Sequence, residues 1–149
     1  MGRETISPVA GPQPGAMIPD FFGRVADGRT VYRREYKGRR HLILCFIAPA
    51  PQPDALLHEL AGRYPHFREA GAELIVFCRD LPPDFTPPYV ILADPAGQMH
   101  ERYGATDHPL LFAADRYGEI VLRRSLADPA AALDEAQTAL EWMQTRCSL

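Results

Sequence analysis

The chain has 149 residues, 46% of them hydrophobic and 23% charged, with a formal net charge of -3 at pH 7, which is the composition of one globular domain with a sizeable core. The slight acidity excludes binding driven mainly by phosphate contacts, because that needs a strongly basic face, and nucleic acid is not an expected partner. The longest apolar run, residues 42–51, is far shorter than the roughly 18 residues of a membrane-spanning helix, so no membrane partner is expected.

Residues 1–17 contain Pro8, Gly11, Pro12, Pro14 and Gly15 and no apolar stretch of signal-peptide length. They read as a flexible tail ahead of a domain over residues 18–149, in a cytoplasmic protein. Asp27-Gly28 is a turn signal between residues 21–25 and 30–32, which predicts a small leading hairpin. Residues 41–47 (HLILCFI) are almost uninterruptedly apolar, the pattern of a strand buried on both faces of a parallel sheet.

After a proline-rich loop, Leu56, Leu57, Leu60 and Tyr64 fall at helical spacing, with Asp54 in the first turn. Pro65 removes a backbone donor and should kink or end this helix, with one further turn stopping at Gly71. Residues 73–78 (ELIVFC) form a second buried strand, joined to the first by a right-handed parallel crossover. Pro82, Pro83, Pro87 and Pro88 stiffen the next connection. A short strand at 89–92, a turn at Asp94-Pro95 and a brief helix over 98–103 follow. Residues 110–114 and 119–123 flank a four-residue connection and predict an antiparallel hairpin. Asp128 and Pro129 then open an amphipathic helix whose apolar stripe is Leu133, Ala136, Leu140 and Met143. The whole is an α/β chain: a mixed sheet with helices on both faces and an N-terminal β-hairpin.

At this point the residues carry a resemblance. Phe46-Ile47-Ala48-Pro49-Ala50-Pro51-Gln52-Pro53-Asp54 resembles the thioredoxin active-site strand and loop, Phe-x-Ala-Pro-x-Cys-x-Pro-Cys. Other segments resemble the alkyl hydroperoxide reductase/thiol-specific antioxidant (peroxiredoxin-like) family of the same fold. These are Ile18-Pro19-Asp20-Phe21, Gly71-Ala72-Glu73-Leu74-Ile75, Leu92-Ala93-Asp94-Pro95 with Gly97, Tyr103-Gly104, and Asp115-Arg116-Tyr117-Gly118-Glu119-Ile120. The resemblance implies a thioredoxin-like fold, and it implies that Pro109 is the cis-proline that faces the redox loop.

It also implies where sulfur should be, and sulfur is not there. The two cysteine positions of the thioredoxin pattern fall on Pro51 and Asp54. The peroxiredoxin pattern Pro-x-x-x-Thr-x-x-Cys, begun at Pro49, places its threonine on Pro53 and its cysteine on Leu56. The family's peroxide-binding arginine falls near Asp107 or His108. Thiol chemistry here needs a cysteine at a helix N-terminus, where the dipole lowers its pKa; Pro51, Gln52, Pro53 and Asp54 form a degenerate redox loop. Asp54 is expected to cap the helix, with the alternative of an acid facing a ligand held between the loop and Pro109.

Among the three cysteines, Cys78 is the candidate for a relocated nucleophile, because Arg79 beside it favours a thiolate; the plainer reading is a buried strand-end residue. Cys45 reads as inert core and Cys147 as an exposed terminal thiol. His108 and Arg79 are the candidate ligand contacts at the loop end of the sheet. The five histidines show no zinc-type spacing, so no metal and no cofactor is expected. The basic run Arg33, Arg34, Lys37, Arg39 and Arg40 is a solvated face or a site for an anion.

Two functions follow as expectations. The first is a redox-inactive thioredoxin-fold module that binds a small molecule or peptide, or a second copy of itself as a homodimer, through the surface that carries redox chemistry in the family. The second is an atypical thiol oxidoreductase or antioxidant peroxidase that uses Cys78. A weaker third is an anion-binding module built on the basic run. Enzyme or not, the distinction rests on whether any thiol is reactive.

Overall fold

The computed structural model describes residues 10–147, the last without its side chain; residues 1–9 of the expected tail, and the expectation of an exposed Cys147 thiol, lie outside what is described. The elements follow the expected order: β1 (Phe22–Arg24), β2 (Thr30–Tyr32), β3 (His41–Phe46), α1 (Pro53–Glu69), β4 (Ala72–Cys78), β5 (Val90–Ala93), α2 (Gln98–Arg102), β6 (Leu110–Ala114), β7 (Ile120–Ser125) and α3 (Pro129–Cys147). The strands make one seven-stranded sheet in the order β2-β1-β5-β4-β3-β6-β7. β3, β4 and β5 run parallel, while β1, β2, β6 and β7 pair antiparallel.

Strand periodicity of two sorts the central side chains into two cores. Ile43, Cys45, Leu74, Val76 and Cys78 face α1 and α3, where they meet Leu57, Leu60, Phe67, Leu133, Ala136 and Leu140. Leu42, Leu44, Phe46, Ile75 and Phe77 face the other side, against Phe21, Met99, Tyr103 and Phe112. In this second core Phe46 stacks on Phe77 and on Tyr103, each with ring centroids 4.6 Å apart. Burying each such ring contributes about 1.5–3 kcal/mol. Both faces of β3 and β4 are covered, so their runs show no alternation in sequence.

One feature meets its expectation and two differ. Pro65 lies inside α1, which makes the expected further turn to Glu69 and stops with Gly71 at φ 82°; Phe67, fully buried two residues on, holds that last stretch to the core. The His108–Pro109 peptide is trans, since the described residues contain no cis peptide bond. The expected cis-proline is therefore corrected: sequence position before a strand does not choose the isomer when both differ by only about 0.5–1 kcal/mol. Finally, residues 10–17 are docked. Gly15 N–H donates to Ile120 O at 2.9 Å, Ile120 N–H to Ala16 O at 2.9 Å, and Arg123 to Pro12 O at 2.8 Å. This segment covers the start of the edge strand β7, whose backbone groups otherwise have no neighbour on that side.

Candidate functional site

The loop after β3 and the entrance of α1 sit at the carboxyl ends of the parallel strands, where sheets of this kind hold ligands. Pro53 occupies the first helical position, where a missing N–H costs nothing. Gln52 is the N-cap residue and its side chain makes no capping bond. The expectation that Asp54 caps the helix is thus corrected: it stands in the first turn, favoured by the dipole alone. Pro51, Gln52, Pro53 and Asp54 are all exposed, so the helix entrance presents two rings, an amide and a carboxylate to solvent.

Pro109 is buried and, from the pairing of Phe46 with Leu110, lies beside Ile47 where the loop leaves the sheet. It therefore faces the loop's root. Asp54 turns elsewhere: with Leu57, His58, Asp84 and Phe85 it lines a cavity of about 340 Å³ between α1 and the proline-rich connection. Neither His108 nor Arg79 lines that cavity. His108 is exposed ahead of Pro109, and Arg79 donates to Pro95 O at 3.2 Å. The three polar candidates, Asp54, His108 and Arg79, do not converge.

Cys78 is buried, with its Sγ 3.8 Å from Leu92 O. Burial, reinforced by the negative charges of Asp80 and Asp94, pushes its pKa up to about 12. Arg79 was expected to favour a thiolate, but its guanidinium is engaged on the β5–α2 turn and the surrounding charge is negative. Burial likewise pushes the Cys45 thiol well above the usual range. Neither sulfur stands at a helix entrance.

Sequence reasoning passed over the most tightly organised polar group at this end of the sheet. Asp94, buried before α2, accepts the Met99 N–H at 3.1 Å and the His100 N–H at 2.9 Å. It caps a helix whose own N-cap, Gly97, has no side chain. Its Oδ2 also lies 2.7 Å from His100 Nδ1. His100 Nε2 accepts the Ala48 N–H at 3.1 Å, so the ring proton must sit on Nδ1, toward the carboxylate. Burial lowers the His100 pKa and Asp94 opposes that shift without reversing it. Burial alone would raise the Asp94 pKa, but its hydrogen bonds with His100 and Met99 hold it below the usual carboxylate range. The signal available in the sequence was a histidine between Met99 and Tyr103, on a helix face that is otherwise apolar.

Sheet order, the β3–loop–α1 unit and the facing proline together define a thioredoxin-like fold. Known structures agree. Thioredoxin peroxidase I of Plasmodium yoelii superposes with a TM-score of 0.71 at 14% identity, over 91% of this chain and 93% of that one. Peroxiredoxin Q of Xanthomonas campestris gives 0.69 at 15% identity, over 83% and 92%. A putative thiol:disulfide interchange protein DsbE from Chlorobium tepidum gives 0.66 at 21% identity, over 87% and 98%. No protein-family model matches the sequence, and no curated protein matches it. Among the described residues no helix is long and apolar enough to cross a membrane.

Proposed function

We propose that the protein is a redox-inactive thioredoxin-fold module that binds a small molecule or peptide, or a second copy of itself, at the loop end of the sheet. One observation carries this reading. The helix entrance where a thiol would be activated is occupied by the exposed residues Pro51, Gln52, Pro53 and Asp54, while Cys45 and Cys78 are both in the core. A nucleophilic sulfur must be a thiolate and must be reached by its substrate. Burial denies Cys78 both, and that weighs against the atypical oxidoreductase. The 340 Å³ cavity beside Asp54 is of the size that small-molecule sites occupy.

Peroxide consumption with a dithiol reductant tests the reading, with a variant lacking all three cysteines as the reference. Equal, background rates for the two proteins are expected. Turnover by the natural chain that the cysteine-free variant lacks would sink it, and loss of that turnover in Cys78→Ser would assign the activity to the relocated thiol.

A further inference from the structure

The leading hairpin carries groups the core does not use. Phe22 and Tyr32 are direct partners across β1 and β2, and both stand on the outer face with 42% and 38% of their surface exposed. Beside them lies a cleft of about 400 Å³, walled by Phe22, Arg24, Thr30 and Tyr32 on one side and by Pro95 and Gln98 on the other. The cleft exists because the sheet opens here: β1 pairs with β5 only at Arg24 and Ala93. Gly23, which also lines the cleft, lets β1 pack closely on β5, since a Cβ at that position would stand 2.8 Å from Leu92 Cβ.

The charge around this cleft is lopsided. The Arg34 guanidinium lies over the Tyr32 ring, 4.2 Å from its centre, and Arg24 forms part of the wall. Among the described residues neither arginine is paired with a carboxylate. The nearby acids are taken: Glu35 accepts the Tyr32 N–H and pairs with Arg29, Asp20 pairs with Arg33, and Asp94, which also lines the cleft, is held by the Met99 and His100 N–H groups and by the His100 ring. Exposed rings hold a flat ligand by its face, and uncompensated guanidinium groups hold a negative charge beside it. A neutral apolar ligand would leave the arginines unused, and a bare anion would leave the rings unused.

We propose that this cleft binds a mononucleotide, with the base against Phe22 and Tyr32 and the phosphate at Arg24, while the Arg34 guanidinium adds positive charge from over the Tyr32 ring. The cleft has the volume of a small-molecule site. The net charge of -3 opposes a long polyanion, which favours a single nucleotide over a strand. This inference is independent of the redox-inactive reading, because none of its residues belongs to the loop after β3.

Calorimetric titration of the full chain with AMP, GMP, CMP and UMP, and with adenosine and inorganic phosphate, tests it. Saturable 1:1 binding of at least one mononucleotide is expected, weaker by at least about tenfold for adenosine and for phosphate, and weakening with salt. Tyr32→Ala and Arg24→Gln should each weaken binding by about tenfold, while Tyr32→Phe retains it; thermal melts of these surface variants confirm that they fold. Three outcomes overturn the proposal: no saturable binding of any mononucleotide at millimolar concentration, equal affinity for phosphate alone, or unchanged affinity in folded Arg24→Gln. Tighter binding of a short single-stranded oligonucleotide than of any mononucleotide would replace the proposed ligand with a strand.

Discussion

Ala48, at the root of the loop after β3, is tied to His100 of α2 by a hydrogen bond of 3.1 Å that spans 52 positions of sequence. The imidazole is held in turn by Asp94 at 2.7 Å, so the start of the loop, α2 and the end of β5 form one buried polar unit. Its position explains why a loop rich in proline, and exposed beyond Ala50, leaves the sheet in one direction.

Removing the middle of this unit strands both ends. His100→Ala leaves the Ala48 N–H without an acceptor and the Asp94 carboxylate without its ring partner, in a site where His100 is 2% exposed. A loss of about 2–4 kcal/mol is expected from the orphaned groups and the vacated volume. Urea unfolding measures it from the midpoint at constant slope, and a change below about 0.5 kcal/mol would show the unit to be ornamental.

The same ring makes stability depend on pH. In the native state burial keeps His100 neutral below its usual pKa, whereas the unfolded chain binds a proton near pH 6.5. His41 behaves alike, lowered first by burial, with Asp115 opposing and Arg116 assisting. As pH falls below about 6.5 the unfolded state therefore binds more protons, so stability that is complete above this value is lost progressively. Asp94, held below its usual range, adds a further loss in more acid solution. Unfolding free energies measured from pH 8 to 5 should decline, with a shallower slope in His100→Ala; a flat profile in the natural protein would contradict the assignment.

Thiol labelling should separate position from identity. Native Cys78, with its pKa pushed up to about 12, is expected to alkylate slowly at neutral pH and rapidly once unfolded. In a Cys45→Ala, Cys78→Ala, Cys147→Ser background, Asp54→Cys places an exposed thiol in the first turn of α1. That thiol should react at least about a hundredfold faster than native Cys78, because the helix entrance favours the thiolate. Comparable rates would mean that the entrance no longer activates sulfur.

The docked N-terminal segment can be tested at one glycine. Gly104 has φ 75°, and a Cβ there would stand 2.2 Å from Ala10 O. Gly104→Ala is expected to cost more than about 1 kcal/mol, from the left-handed backbone and the displaced segment together. In a chain lacking residues 1–11 the penalty should shrink to the backbone part. An equal penalty in both chains would show that residue 10 does not press on this turn.

Much of the architecture was legible in order, because the determinants are local. The unbroken apolar runs of β3 and β4 announced strands covered on both faces, Asp27-Gly28 announced the hairpin, and the stripe of Leu133, Ala136, Leu140 and Met143 announced α3. The lack of sulfur at Pro51 and Asp54 was equally plain, since it is a matter of residue identity. The isomer at Pro109 and the docking of residues 10–17 on β7 were not. Each depends on small local preferences that packing partners distant in the chain outweigh.

The site divides along the same line. Residue types along the chain determined that no activated thiol stands at the helix entrance and that a basic run follows the first hairpin. Only the folded chain decided that Cys78 is sealed in the core, that Asp54 faces residues 82–85 instead of Pro109, and that His100 joins Ala48 to Asp94. Burial, the direction a side chain takes and the company a charge keeps are properties of a shared volume, and that volume exists only once all the elements have packed.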